Sequence, residues 1–447
     1  MRVLIVSSGS MGDVAPYAGL GVDLRDAGHD VTVATHGPFA DAIAGVGLPF
    51  LPIPGDLREV LSLARGQDGR SSGTDPRALL TLLRIARPLV AELGAGIAEV
   101  VARHRPDAIL LSTVVAPLGY QVAEAAGTPW AGLFLQPIHP TGAFGSVLIG
   151  GRSLGAPLNR AIARGVEVGT RSLYAGPVRD LRARLGLPRE SMRSLQRRQQ
   201  RRWPTFHGFS PAVVPRPPDW PASHRVVGYW WPARPIGWTP PPGLEEFIDA
   251  GPPPVFIGFG SMAPGQGSRL AELVLAAVRA AGVRAVVQAG WAGLEVPSDA
   301  AAETAGTTTR GTTTKGTETE GTGGSEQAVL SVGAVPHDWL FPRMAAVVHH
   351  AGAGTAAAGL RAGVPAVAVP VLADQPFWAR RLHELGAAPA PIPFSELTGE
   401  RLAAALRTVT TNPHYVARAQ AIAGRMAIED AALPVRKWLA DLGGPPG

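Results

Sequence analysis

Short apolar runs alternate along this chain with stretches in which apolar residues recur every three or four positions. The run Val3 to Ser7 precedes a helical spacing over Tyr17 to Ala27, and Asp30 to Ala34 is again apolar and β-branched. Strand, helix and strand in that order predict a βαβ unit. Runs at Ala108 to Leu111 and Trp130 to Leu135, separated by alanine-rich helical segments, extend it. Strands that are apolar at nearly every position suit a parallel sheet covered by helices on both faces.

The cycle starts again at Val255 to Gly258, where an apolar strand meets the glycine turn Phe259-Gly260 ahead of a helix over Leu270 to Ala281. Further strands are expected at Ala285 to Gln288, Val329 to Val332, Ala346 to His349 and Ala366 to Val369, with a helix from Thr355 to Ala362. Two doubly wound α/β halves result. The stretch 228–254 is dominated by proline and tryptophan, and proline's fixed φ and missing N–H make a regular element unexpected there. It reads as the linker between a first domain, 1–227, and a second, 255–425, followed by a C-terminal helix and tail, 426–447. Residues 298–326 are so rich in Thr and Gly that they cannot bury enough apolar area to offset their ordering entropy, so they read as a mobile surface insertion.

At 447 residues the chain exceeds what one hydrophobic core usually organises, which agrees with two domains. With 46% hydrophobic and 17% charged residues it is a folding sequence, not a disordered one. The absence of cysteine removes disulfides, thiolate metal sites and cysteine nucleophiles. The amino terminus reads as a buried strand, not a signal peptide, and no apolar window approaches the roughly 20 residues that span a bilayer. A cytoplasmic protein is expected. The net charge of +6 is concentrated in Arg179 to Arg202, where no aromatics are interleaved to stack on bases. That argues against nucleic acid and for a solvated helix face, with weak contact to a membrane surface as the second reading.

Three strand-to-glycine-loop-to-helix junctions could hold an anion on exposed amides and a helix dipole: Gly9-Ser10-Met11-Gly12-Asp13, Gly258-Phe259-Gly260-Ser261, and His349-His350-Ala351-Gly352-Ala353-Gly354-Thr355. None has the third glycine and distant acidic residue of a dinucleotide fingerprint or the Lys-Ser/Thr of a phosphate loop, which disfavours dehydrogenases and P-loop nucleotidases. After the third loop and one more strand come Asp374 and Gln375, a carboxylate and an amide suited to vicinal sugar hydroxyls. His349 and His350 are adjacent on a strand, so they point to opposite faces. No third ligand stands at a recognisable spacing, and no metal is expected.

These loops, with Gly363-Val364-Pro365 and Val335-Pro336-His337, resemble the donor-binding signature of glycosyltransferases of the glycosyltransferase-B fold. The branch they resemble includes the actinobacterial sterol and antibiotic (macrolide and glycopeptide) glycosyltransferases. The resemblance implies two Rossmann-like domains facing across a cleft and no cofactor beyond a nucleotide-sugar co-substrate, UDP-glucose or a TDP-sugar. It places the diphosphate on His350, Gly352, Gly354, Thr355, Gly260 and Ser261, with Ser10 and Gly12 as further donor contacts. Asp374 and Gln375 hold the sugar, and the Val335 backbone reads the base. The stacking tryptophan of many relatives is replaced by Ala334, which leaves uracil or thymine open, and Trp291 could stack instead.

Relatives often carry a catalytic histidine where this chain has Asp13, so a carboxylate base is implied. Asp13 also reads as a helix N-cap after a glycine turn. His29 and His36 read as structural or rim residues. The expected acceptor is an apolar, ring-bearing alcohol met by Phe134, His139 and Phe144, with Trp130 and Ile138 in the same stretch and Trp230-Trp231 at its border. The reaction implied is inverting, metal-independent hexosyl transfer. A non-hydrolysing sugar-nucleotide epimerase and a catalytically silent nucleotide-binding partner protein are the competing readings.

Overall fold

A computed structural model describes residues 1–55, 76–260, 267–288 and 328–443. The chain divides into two compact units, Met1–Trp238 with Arg425–Gly447, and Thr239–Gly424. The division falls inside the Pro/Trp-rich stretch, and the C-terminal helix belongs with the first unit.

The first unit is built on an all-parallel sheet. Its strands are β1 (Arg2–Val6), β2 (Asp30–Thr35), β3 (Phe50–Pro52), β4 (Ala108–Ser112), β5 (Trp130–Phe134), β6 (Thr205–His207) and β7 (His224–Val226), in the order β3-β2-β1-β4-β5-β6-β7. Alternation decides which side chain goes to which layer. Val3, Ile5, Leu110, Leu133 and Phe206 pack on one face with Val435 and Leu439 of the C-terminal helix Leu433–Gly443. Leu4, Val6, Ile109, Leu111 and Phe134 pack on the other, against the helices Pro76–His104, Ala116–Ala126 and Ala156–Arg184.

The first helix runs from Met11 to Asp26, six residues earlier than its apolar spacing suggested. A capping box starts it: Asp13, at the third helical position, accepts from the Ser10 backbone N–H at 2.8 Å. Pro16 is tolerated inside the helix because the carbonyl it leaves unpaired, four residues back at Gly12, belongs to an exposed residue that water reaches. Trp230 and Trp231 pack differently. Trp230 is buried, with its indole N–H donating to the Ala431 carbonyl at 3.0 Å. The Trp231 backbone lies so close to the first helix that a Cβ on Gly19 would meet its carbonyl oxygen at 1.7 Å.

The second unit carries a five-stranded parallel sheet: β8 (Val255–Gly258), β9 (Ala285–Gln288), β10 (Val329–Val332), β11 (Ala346–His349) and β12 (Ala366–Ala368), ordered β10-β9-β8-β11-β12. Val255, Ile257, Val287, Val348 and Val367 form its core with the helices Gly267–Ala281 and Gly399–Thr411. A short helix, Leu244–Asp249, stands where the proline content argued against any element; it falls in a proline-free gap between Pro242 and Pro252, and Leu244, Phe247 and Ile248 bury one side. The insertion 298–326 lies outside the described residues.

The basic segment is only partly a solvated face. Arg182 is buried, bonded to Gln121, Glu124 and the Pro188 carbonyl, and Arg198 joins Glu124 and Glu190. Arg184, Arg201 and Arg202 remain exposed. Among the described residues no helix is long and apolar enough to cross a membrane.

Candidate active site

In an open parallel sheet, ligands bind beyond the carboxyl ends of the strands where the strand order reverses. In the second unit that point lies between β8 and β11, and register aligns their ends, with Gly258 opposite His349. The loops Phe259-Gly260 and His350-Ala351-Gly352 therefore leave the sheet side by side. Gly260 takes φ +59 and Ala351 φ +60, both left-handed, which turns each chain sharply.

His350 is wedged between these loops. A Cβ on Gly352 would come within 2.6 Å of its Nε2, and one on Gly260 within 3.1 Å of its Cε1. Burial holds its ring at a pKa of about 4, and its Nδ1 is buried without a hydrogen-bond partner. His349, one residue back, faces the other way: its Nδ1 accepts from the Ala351 N–H at 3.0 Å, and burial, then His350 and His337, lower its pKa to about 3. The helix Ala353–Arg361 starts at this point with Gly352 as its N-cap. A Cβ on Gly354 would meet nothing within 4 Å, so its first turn, with Thr355, presents open amides.

Asp374 caps the helix Gln375–Glu384, and its Oδ2 accepts from the buried Trp378 indole at 2.9 Å. Gln375 is buried and turned inward: its Oε1 accepts from the backbone N–H groups of Val371 and Leu372 at 2.8 and 3.1 Å. Its carbonyl thus shapes the loop, and the amide nitrogen is the polar atom not used in that closure. The Val335 side chain is buried, so only its backbone can read a base. Ser261 and Trp291 lie outside the described residues.

In the first unit the order reverses between β1 and β4, and the loop after β1 carries Ser10, Gly12 and Asp13. Gly9, at φ +147, makes room for the carboxylate, since a Cβ there would sit 2.5 Å from Asp13 Oδ2. That oxygen accepts from the Ser10 N–H and hydroxyl at 2.8 and 2.9 Å, while Oδ1 faces the Gln136 amide at 3.5 Å. Asp13 is therefore not the N-cap, which is Ser10; one carboxylate oxygen is spent on capping and the other is turned toward Gln136. Ser112 accepts from the Ser8 N–H at 3.4 Å. His36 is fully engaged, with Nδ1 donating to the Ile53 carbonyl at 3.1 Å and Nε2 bonded to Ser8 Oγ at 2.8 Å.

Residues 3–102 match the family model of the glycosyltransferase family 28 N-terminal domain, and residues 314–442 that of the erythromycin biosynthesis protein CIII-like C-terminal domain. Over 98% of its length the chain is 33% identical to an O-mycaminosyltylonolide 6-deoxyallosyltransferase of Streptomyces fradiae, covering 97% of that protein. The chain belongs to this glycosyltransferase family. A sterol 3-beta-glucosyltransferase of Arabidopsis thaliana is 32% identical over 91% of the chain, which spans 62% of that longer relative.

Among solved structures, the glycosyltransferase VinC in complex with DTDP superposes with a TM-score of 0.64 at 20% identity, covering 99% of this chain and 100% of VinC. A kitacinnamycin glycosyltransferase gives 0.66 at 18% identity, over 99% and 98% of the two chains. At such identities the likeness is one of fold. The two parallel-sheet units are the halves of a glycosyltransferase-B fold, whose enzymes draw on a nucleotide-sugar co-substrate.

The residues that the sequence suggested for an acceptor fall in different surroundings. Phe134 ends β5, buried, with its ring on His139 at a centroid distance of 5.4 Å. Phe144 and Ile138 are half-buried. Trp130 stands at the opposite, amino end of β5, packed between Tyr120 and Trp203, and belongs to the core. His139 turns onto His207 and His224. Sequence reasoning missed the supports Gln136 beside Asp13 and Trp378 beside Asp374, and it named His337 without its packing: the ring stacks on Phe341 at 4.2 Å and burial lowers its pKa to about 4. Only contacts made far apart in sequence reveal the first of these.

Proposed function

We propose that this glycosyltransferase moves a hexose, glucose first among candidates, from a UDP- or TDP-sugar to a hydroxyl of a hydrophobic acceptor such as a sterol, polyketide or other natural-product aglycone, with inversion and without a metal in the transfer step. The observation that carries the reading is His350, desolvated and wedged between Gly260 and Gly352 at the start of a helix. A neutral ring there donates to, or takes a proton beside, a diphosphate oxygen, and the Gly352 to Thr355 amides receive the charge that develops as the sugar leaves. Asp374 and Gln375 follow at the next strand end for the sugar hydroxyls.

On the acceptor side Asp13 Oδ1 is the basic atom, because Oδ2 already accepts two bonds from Ser10. A carboxylate is a weak base toward an alcohol, so it takes the proton late, as the anomeric carbon draws in the oxygen. Phe134 and Phe144 are the apolar contacts proposed for the acceptor, and His139, packed beneath Phe134, supports them. Relatives that act on a macrolide and on a sterol support an acceptor of this class.

Incubation with a panel of UDP- and TDP-sugars, with and without hydrophobic alcohols, tests the reading. Release of nucleoside diphosphate that depends on the alcohol is expected. Epimerised donor in the absence of any alcohol would overturn it, as would no turnover with the whole panel.

A further inference from the structure

A second group of polar side chains, outside the donor and base residues, lies around β5, β6 and β7. Register pairs His224 with Thr205 and His207 with Val226, so His207 and His224 sit two positions apart on neighbouring parallel strands and share one face of the sheet. Phe134 stands opposite His207 on β5. His139 comes over this face from the segment after β5, stacked on His224 at 3.9 Å between ring centroids and edge-on to His207 at 5.3 Å.

Ring nitrogens of the three lie within 4.8 Å of one another. His207 and His224 are 0% and 2% exposed. Both nitrogens of each, and Nε2 of His139, are buried with no well-formed hydrogen-bond partner. Buried polar atoms are ordinarily satisfied, and three adjacent imidazoles whose buried nitrogens make no well-formed hydrogen bond call for a ligand that takes a lone pair from each ring.

We propose that His139, His207 and His224 bind one transition-metal cation of the zinc class, with water or an anion in the fourth position. Imidazole nitrogen suits zinc, nickel and copper; magnesium and calcium want oxygen. Burial above all, then the neighbouring imidazoles and Arg216, holds the three rings in the neutral, ligating form, His224 at about 4. The Gln136 carbonyl acts on the His207 ring as an acceptor, the kind of outer partner that orients a metal-bound imidazole.

Arg216 is the opposing charge. Its guanidinium is bonded to the carbonyls of Pro217, Trp220, Pro221 and His224, which absorb part of its field. Among the described residues no carboxylate completes the cluster, so an anionic fourth ligand is favoured. The bound ion would pin the segment after β5, with Gln136 and His139, to β6 and β7.

The test titrates metal-free, full-length protein with Co2+ and then Zn2+. One Co2+ per chain with the intense visible bands of tetrahedral coordination is expected, displaced by Zn2+, together with a thermal midpoint raised by Zn2+ and unmoved by Mg2+. His207→Gln and His139→Ala should each abolish the bands, with circular dichroism reporting that the variants are folded. Since His207 is fully buried, the partly exposed His139 supplies the variant that decides if His207→Gln does not fold. A weak octahedral spectrum in the wild type would overturn the site, and so would bands that survive in His139→Ala, which would place the ion elsewhere.

Discussion

Gly352→Ala isolates the role of His350 without touching it. The backbone at Gly352, φ −62 and ψ 145, accepts any residue, so the added methyl brings no backbone strain. Its only effect is steric: the Cβ would stand 2.6 Å from His350 Nε2, roughly 0.8 Å inside ordinary contact. Gly260 crowds the same ring, so relief requires the imidazole to leave its position. Overpacking of this kind costs about 1–3 kcal/mol, tolerable for a folded unit of this size. A hydrogen bond to a charged group contributes about 1.5–3 kcal/mol, so displacing His350 should weaken nucleoside diphosphate binding by about 10- to 150-fold. Calorimetric titration of the diphosphate measures the loss, and the same substitution in a His350→Ala background should add almost nothing, because the methyl then fills vacated space. Unchanged affinity in Gly352→Ala, or an equal loss in both backgrounds, would refute the placement of the diphosphate on His350.

Asp13→Asn keeps an oxygen for the Ser10 donors, so its thermal midpoint should stay close to wild type while transfer to an aliphatic alcohol falls by roughly 10²- to 10⁴-fold with donor binding intact; near-normal turnover would reduce Asp13 to its capping role. Asp374→Ala strands the buried Trp378 N–H and should cost about 1–3 kcal/mol in denaturant unfolding, whereas Asp374→Asn retains an acceptor and most of that stability. If both variants lose stability equally, that bond is not what matters. His337, His349 and His350 have folded-state pKa values of about 4, 3 and 4, below the unfolded value near 6.5. The unfolded chain therefore binds more protons in that window. Stability should be full above about pH 6.5 and fall on acidification toward pH 4, each group contributing up to about 1.4 kcal/mol per pH unit. A denaturant midpoint that stays flat from pH 7 to 4.5 would contradict this. Removing 298–326 leaves about eleven residues for the crossover between the parallel strands β9 and β10, near the usual minimum, and donor turnover should persist; loss of folding or of most activity would show the insertion to be integral.

Much of this protein follows from local pattern alone. Runs such as Leu4 to Val6 and Val255 to Ile257 bury side chains on both faces, and a strand apolar at every position has nowhere to go but the middle of a helix-covered parallel sheet. The glycine loops were legible for a related reason, because a strand that must turn into a helix over a ligand needs small residues at fixed offsets. The loop from His350 to Thr355 and the Asp374-Gln375 pair were each legible as short runs of consecutive residues, and the strand order sets the loop after β12 next to the loop after β11.

Tertiary structure decided what depends on partners distant in sequence. Nothing near Gln375 announces that its oxygen closes the loop at Val371 and Leu372, or that Asp374 serves Trp378. β6 and β7 are three residues each, Thr-Phe-His and His-Arg-Val, too short and too polar to show a period. They exist because neighbouring strands supply their hydrogen bonds, and only that pairing brings His207 and His224 onto one face beneath His139. Trp130 and Trp230 look alike as aromatics in the sequence; position along β5 and a bond to Ala431, both set by the assembled sheet, send them into the core. Short-range pattern determined which segments become strands, helices and ligand loops, since burial and turn sterics act within a few residues. Which side chains meet was left to the packing, since register and strand order alone bring residues a hundred positions apart into contact.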